Sequence, residues 1–525
     1  MASSACPAGR EVGRIIGEST PVTSSVIFSS DVMPEAGSYV MANTPKGCVF
    51  GVIEFVSAGN RLLPSSVESP ESVAELVREL EEGRIRSLYF RGSVRWLSYL
   101  EDLKEGRPSL PKVPPPPGSP VLEAPEEVLE KVFGSSGPGD GGGWIRLGSL
   151  LTSPNIEYRV DVNALTRHLA ILAVTGGGKS NAVCVMARRI VGELGGTVVI
   201  FDMHGEYGDL GLGDKANVIE RPGINPLQLN YSELLELADV PPNATNQQRA
   251  IRDAWATVMS MLNSGRLTLV PSRAGQVSYV IELLSEQLQR MADSDYNGAE
   301  GAYNRVRDLI DNYGEVLRDD VPLQLEKVIV PGKLNVFDLS SLDERAADAI
   351  VSHYLRRLLL AGKEAKRSPG RRYPVPAIAF VEEAHVLIPA DRETLTKYWA
   401  ARIAREGRKF GIGLVIVSQR PRNVDPNVLS QANNKIILRV VEPQDIKYVQ
   451  ETSEELSEDL AGLLPSLNKG EAVVFGSMVK LPAIVRIDYC KEKRGGRDVN
   501  LVEEWTRAAR SERAEDLRDR LNEYL

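Results

Sequence analysis

No stretch of this chain approaches the roughly 18 consecutive apolar residues that a membrane-spanning helix needs, which excludes an integral membrane protein of the helical kind. The opening "MASSACPAGREVG" lacks a basic end followed by an apolar stretch, so no secretory signal is read there and a cytoplasmic location is expected. Cysteine is scarce: Cys6, Cys48, Cys184 and Cys490 lie far apart, match no metal-site spacing and fit a reducing cytosol. Positive charge is not in excess, the formal net charge being −9. That argues against a surface coated for nucleic acid, but it leaves room for a basic lining inside an acidic shell. No internal repeat is visible.

What is present is ordinary globular composition, 42% hydrophobic and 25% charged, in 525 residues, long enough for about two to four domains. Residues 10 to 60 hold short apolar runs broken by turns, "SSVIFSS", "SYVMANT" and "CVFGVIEFV", which predict a small β-barrel. A charged helical stretch follows, then "PKVPPPPGSP" and "GSSGPGDGGGW", a proline run and a glycine run that read as a linker or excursion. Beyond it, "HLAILAV", "TVVIFD", "LNVFDL", "PAIAFVEE", "IGLVIVSQ" and "KIILRV" alternate with helical stretches, the pattern of buried parallel strands in an α/β sheet. Ile251, Trp255, Val258, Met259 and Leu262 recur at helical spacing in a long insert. The expected organisation is a first domain with its Pro/Gly-rich segment over 1–150, sheet core over 151–240 and 326–490, a helical insertion over 241–325 and a charged helical tail over 491–525.

The chemistry begins at "AVTGGGKSNAV", where a strand runs into a glycine loop and then a helix, the context a phosphate-binding loop requires. Gly176, Gly177 and Gly178 let backbone N–H groups converge on phosphate oxygens. The helix N-terminus adds favourable partial charge. Lys179 would reach the β- and γ-phosphates and Ser180 would ligate Mg2+. The usual pattern has glycine where this chain has Ala173, but a strand-exit residue tolerates a Cβ. A relic loop should have lost its partners, and "PAIAFVEEAH" instead ends a buried strand in two acids: Glu382 to hold the metal shell and Glu383 to polarise a water. An added glutamate after the acid marks the ASCE type of P-loop ATPase. Gln419, ending "IGLVIVSQ", can contact phosphate or water. The cluster Asp202, His204, Glu206 and Tyr207 either lines the site or forms a plain turn. A positive group against the developing charge is expected in phosphoryl transfer. Arg408 in "EGRKFG" would project into a neighbour, Arg405 is the runner-up, and Arg167 enters the phosphate-loop strand. The segment "KEAKRSPGRR" at 363–372 has five basic residues and one acidic, suiting backbone phosphates or a solvated loop.

With those residues in view the chain resembles the HerA family, archaeal hexameric DNA translocases of the HerA/FtsK class. The resemblance runs through "GRIIGEST", "DVNALTRHLAIL", "TGGGKSN", "DMHGEY", "FVEEAH", "EGRKFG", "VSQRPRNVDPNVLSQANNKIILRV" and "GEAVVFGSMVKLPAIVRI". Ala173 stands where the family more often has glycine, and Met203 where it more often has proline. The resemblance implies a RecA-like P-loop ATPase core with an N-terminal HAS barrel. It assigns nucleotide binding to Thr175, Gly176, Gly177, Gly178, Lys179, Ser180 and Asn181, and Mg2+ to Ser180 and Glu382. It makes Glu382 and Glu383 the Walker B pair, Gln419 the sensor, Arg408 the finger acting in trans and Arg167 a second arginine at that site. It further implies ATP and Mg2+ as cofactors, a homo-hexamer acting on double-stranded DNA, and work with the nuclease NurA beside Mre11–Rad50 in resecting double-strand breaks. A ring motor acting on protein is the competing reading, although no aromatic pore loop stands in the sequence; a non-catalytic scaffold is the other.

Overall fold

Alternate side chains of a β-strand face opposite ways, so each face of a strand reads at every second residue. The computed structural model describes residues 5–29, 31–60, 63, 69–82, 88–134, 142–264, 277–367, 376–453, 455–493, 501–502 and 505–507. Six strands, β1 (Glu11–Ser19), β2 (Thr23–Phe28), β3 (Tyr39–Thr44), β4 (Gly47–Asn60), β5 (Leu88–Tyr99) and β6 (Pro120–Glu123), close into a barrel in the order β1-β2-β5-β4-β3-β6. Val12, Ile15, Val26, Phe28, Val40, Val49, Ile53, Val94, Trp96 and Val121 fill it. Trp96 is buried and donates its indole N–H to Ser24 Oγ at 2.8 Å, which satisfies the one polar atom it brings inside. The expected barrel is there, but its closing strand comes from the proline-rich stretch read as a linker. Ile15 donates to the Ser119 carbonyl and accepts from the Gly118 N–H, so that stretch is bound to the barrel wall. Pro120 takes the first position of β6, where a strand tolerates a missing N–H. Residues 135–141 of the glycine run lie outside the described residues.

The second sheet has eleven strands: β1 to β6 are followed by β7 (Trp144–Leu150), β8 (Glu157–Asp161), β9 (Leu169–Leu172), β10 (Thr197–Asp202), β11 (Ala216–Ile219), β12 (Leu334–Asp338), β13 (Ala377–Val381), β14 (Ile412–Ser418), β15 (Asn434–Ile437), β16 (Glu471–Phe475) and β17 (Ala483–Ile487). Their order is β11-β12-β10-β13-β14-β9-β15-β16-β17-β7-β8, parallel from β11 to β15 and antiparallel from there on. All six apolar runs singled out in the sequence lie in the parallel part. Trp144–Leu150, on the barrel side of residue 150, pairs with β17 of this sheet.

Each parallel strand divides its side chains between two cores. Leu169, Ile171, Val198, Ile200, Val415 and Val417 face the phosphate-loop helix Lys179–Leu194 and the barrel. Ala170, Leu172, Val199, Phe201, Leu414 and Ile416 face helices Glu344–Arg367 and Leu395–Glu406 and the insertion, whose helices are Thr245–Asn263, Tyr279–Asp293 and Ala299–Tyr313. The barrel joins the first of these cores through its outer face: Tyr39 stacks on Phe50 at 5.3 Å between ring centroids, Tyr39 meets Phe133 at 4.9 Å, and Phe133 meets Tyr158 at 5.9 Å.

The cysteine reading is corrected. Cys6 pairs with Cys48 and Cys184 with Cys490 in disulfides, across 42 and 306 residues of sequence. Such separations leave no local spacing to read, and the pairing removes the cysteine argument for a reducing compartment. Among the described residues no helix is long and apolar enough to cross a membrane, and no group of three or more His, Cys, Asp or Glu is placed to hold a metal ion. Most of the charged tail predicted over 491–525 lies outside the described residues.

Candidate active site

The phosphate loop leaves β9 at the centre of the sheet, between β14 and β15. Ala173 is fully buried and does not take a positive φ; its N–H donates to the Ser418 carbonyl at 3.3 Å. It therefore continues the strand, as expected. Gly176 and Gly178 have φ of +77° and +110°, the left-handed region that favours glycine. Gly177 has little room for a side chain: a Cβ there would lie 3.0 Å from the Ala173 Cβ and 3.0 Å from the Val174 carbonyl oxygen. The Val174 N–H bonds the Arg439 carbonyl at 2.9 Å, and the Gly470 N–H bonds the Gly177 carbonyl at 3.3 Å, so the loop is braced from outside. In the helix that follows, the bond from Ala182 N–H to the Gly178 carbonyl is the first of its kind. The N–H groups of Lys179, Ser180 and Asn181 have no carbonyl a turn upstream to bond, and they point at an anion site.

The two acids at the end of β13 have different surroundings. Glu382 is buried, accepts a hydrogen bond from the Tyr207 hydroxyl, and is pushed up to about 8 by burial. Glu383 takes a left-handed backbone, φ +44°, and caps the short helix Ala384–Leu387. Its carboxylate meets His204 Nε2 at 3.4 Å, His385 Nδ1 at 3.1 Å and Gln419 Nε2 at 3.2 Å. Against the burial that pushes it up, the His204 hydrogen bond and the charges of His385 and Lys179 hold Glu383 below the usual carboxylate range. Thr175 Oγ1 donates to Gln419 Oε1 at 2.7 Å. A continuous chain thus runs from the phosphate loop through Thr175 and Gln419 to Glu383.

The cluster after β10, left open between site and turn, belongs to the site. Tyr207 bonds Glu382, His204 bonds Glu383, and Glu206 pairs with Lys493 at 2.7 Å; against the burial that pushes it up, Lys493 and Ser180 hold Glu206 below the usual carboxylate range. Asp202 stays buried, accepting the Tyr207 N–H at 3.0 Å and the His204 N–H at 3.2 Å, and so shapes the turn that delivers them. Burial pulls Lys179 down, against the charges of Glu383, Glu382 and Glu206. This donor set, carboxylates and a serine hydroxyl around a lysine beside a glycine cradle, fits a triphosphate with a hard, oxygen-liking cation such as Mg2+. Ser180 and Glu382 would hold the cation. The Asn181 side chain turns away from the loop: its Nδ2 donates to the Asp488 carbonyl at 2.8 Å and its Oδ1 accepts from the Cys490 N–H at 2.9 Å. Only its backbone N–H remains for phosphate.

Arg167 and Arg408 lie elsewhere. Both are exposed, on neighbouring turns Val162–Arg167 and Gly407–Phe410 that precede the parallel strands β9 and β14. The phosphate loop leaves the opposite ends of those strands. Between them stands His168, whose Nδ1 accepts from the Leu414 N–H at 3.0 Å. Arg405 is also exposed, its Nε donating to the Ala401 carbonyl at 3.1 Å. In the basic segment, Lys363 is paired with Glu406 at 2.5 Å, and 368–372 fall outside the described residues. Sequence reasoning missed His385 and Lys493. The first stands two residues past Glu383 in "VEEAH" and was within reach; the second is brought in by the fold alone.

A family model described as "Helicase HerA, central domain" matches residues 145–358, and the HAS barrel domain matches residues 12–102. The DNA double-strand break repair helicase HerA of Sulfurisphaera tokodaii is 40% identical over 518 residues, covering 97% of this chain and 99% of that one. The protein of the same name from Sulfolobus acidocaldarius is 41% identical over 505 residues, covering 95% and 98%. Among solved structures, VirB4 of Thermoanaerobacter pseudethanolicus aligns with a TM-score of 0.49 at 19% identity, over 66% of this chain and 97% of that one.

Proposed function

This chain belongs to the HerA family, and from that premise we propose that it is an ATP-hydrolysing DNA helicase and translocase of double-strand break repair. In its finer form the proposal is a ring of six subunits acting inside the cell on duplex DNA, working with the nuclease NurA in end resection, beside Mre11–Rad50. The observation that carries the catalytic part is the Glu383 carboxylate, held beside Lys179 by His204, His385 and Gln419. Kept ionised at neutral pH, Glu383 accepts a proton from the attacking water at a carboxylate oxygen. Gln419, tied to Thr175, registers what occupies the phosphate loop. The glycine loop and the N–H groups of Lys179, Ser180 and Asn181 bind the triphosphate, with the Lys179 ammonium against its outer oxygens. A Mg2+ held by Ser180 and Glu382 would supply neutralisation of phosphate charge. Arg408, with Arg167 beside it, lies at the ends of β14 and β9 opposite the phosphate loop, and in the proposed ring it serves the site of a neighbouring subunit.

The test is phosphate release by protein of defined oligomeric size, with and without duplex DNA. ATP hydrolysis that rises with duplex DNA is expected. Absence of hydrolysis would leave a scaffold, and hydrolysis indifferent to DNA would favour a motor acting on protein.

A further inference from the structure

Beyond β17 the chain crosses the phosphate-loop helix as a strap, Asp488 to Lys493. Asp488 pairs with Arg189 at 2.7 Å, Glu492 with Arg188 at 3.0 Å and Lys493 with Glu206 at 2.7 Å, and Cys490 is disulfide-bonded to Cys184. The Asn181 side chain takes the carbonyl of residue 488 and the N–H of residue 490, so it fixes the backbone of the residue between them. That residue is Tyr489, and it is 76% exposed. Its neighbour Cys490 turns into the helix, so Tyr489 faces the other way. A large aromatic ring in water, on a backbone held by hydrogen bonds on both sides and a covalent tie next door, is presented for contact.

What it would contact follows from the order of groups in a nucleotide. The phosphates lie along the glycine loop and the helix N-terminus, residues 176–181. The terminal-phosphate side is walled by Glu383, Gln419, His204 and His385. The nucleoside, attached at the other end of the phosphate chain, must leave past Asn181, and Tyr489 is the exposed ring anchored there. We propose that Tyr489 is the base-binding residue of this chain, stacking on the ring of a nucleotide whose phosphates fill the loop, with the strap as the wall of that subsite. This rests on the nucleotide-hydrolysing reading above. An aromatic face stacks on any base, so the subsite gives affinity and little choice among bases. Tyrosine suits the task because a rigid ring loses little freedom on contact.

The experiment uses the full chain and two probes, ATP and inorganic tripolyphosphate, titrated by calorimetry on wild type, Tyr489→Ala and Tyr489→Phe, each first shown to unfold at the wild-type temperature. Tyr489→Ala is expected to weaken ATP binding by about five- to hundredfold, the range for losing one stacked base. Tripolyphosphate binding should hold, and Tyr489→Phe should keep ATP affinity. In hydrolysis assays the loss should fall in KM. Unchanged ATP affinity in Tyr489→Ala overturns the proposal. So does an equal loss for ATP and tripolyphosphate, which would make Tyr489 a support for the loop. A wild-type protein that binds neither probe overturns the nucleotide reading itself, whatever Tyr489 does.

Discussion

The departure at Ala173 has a measurable consequence one turn away. The methyl of Ala173 is fully buried, and a methyl placed at Gly177 would sit 3.0 Å from it and 3.0 Å from the Val174 oxygen. Carbon atoms pack at about 3.5–4.0 Å, so Gly177→Ala forces the loop to shift. Overpacking of this kind costs about 1–3 kcal/mol. The loop cradles phosphate, so the cost should appear as nucleotide affinity lowered roughly five- to hundredfold, at about 1.4 kcal/mol per tenfold. Ala173→Gly alone removes one buried methyl, about 0.8 kcal/mol, and adds about 0.5–1 kcal/mol of chain freedom. Its turnover should change by less than about tenfold, a barrier change of about 1.4 kcal/mol. In the double variant one of the two close contacts is gone, and a coupling of about 1 kcal/mol is expected, recovering roughly fivefold in affinity. The assay is titration of a fluorescent ATP analogue into all four proteins, with denaturant unfolding alongside. Strict additivity would refute the idea that Ala173 keeps residue 177 bare. Wild-type protein that binds no nucleotide until Ala173 becomes glycine would refute the view that Ala173 is a strand residue compatible with catalysis.

Three further outcomes are expected. Glu383→Gln should keep ATP binding and lose about 10²–10⁴-fold in hydrolysis, Arg408→Ala should lose about 10³-fold or more, and mixtures of the two with proven subunit exchange should recover some phosphate release; full activity in Arg408→Ala alone would shift the role to Arg405. His168 is pushed down to about 4 by burial, so the folded protein binds fewer protons than the unfolded chain between about pH 4 and 6.5: stability should fall as pH drops through that window, and His168→Gln should flatten the slope in denaturant titrations. Reducing the two disulfides, or Cys490→Ser, should lower stability by about 2–4 kcal/mol, and an unfolding midpoint indifferent to reductant would show that the pairs do not form in solution.

Patterns with a period were legible in the sequence and juxtapositions were not. The buried runs of β9, β10, β12, β13, β14 and β15 announce themselves because both faces of each strand are covered. The insertion helices announce themselves by spacing, with Ile251 and Val258 buried as that spacing requires. The glycine loop and the paired acids are local in sequence and so could be found. β6 hid behind four prolines because its pairing with β1 and β3 is decided by partners about 80 to 110 residues away, not by its own composition. The antiparallel strands β7 and β8, and β16 and β17, come from opposite ends of the sheet's stretch of chain, with every other member lying between them in sequence. Tyr207 on Glu382, Lys493 on Glu206 and the Asn181 clamp on the strap link residues 175 to 309 positions apart, and no window of sequence contains both partners.

The site's own electrostatics show where the selective demand lies. Glu206, Glu382 and Glu383 gather around Lys179, with Lys493 on Glu206 and Asp202 near Glu382, and burial pushes both Asp202 and Glu382 above their ordinary range. Apolar residues of similar volume would often be as stable or more so at such positions. Strain follows the same line: Glu383 keeps a left-handed backbone that a β-strand exit does not require. These costs fall at the ends of β9, β10 and β13 where the phosphate loop lies, while Arg167 and Arg408 stand at the opposite ends of β9 and β14. β9 alone, four residues at about 3.3 Å each, places about 13 Å between its two ends. Under the proposed ring, the exposed arginines at one end of β9 and β14 would serve the phosphate loop and acids that a second copy carries at the opposite strand ends. Such a contact would be heterologous and, with a rotation that closes, would make a ring.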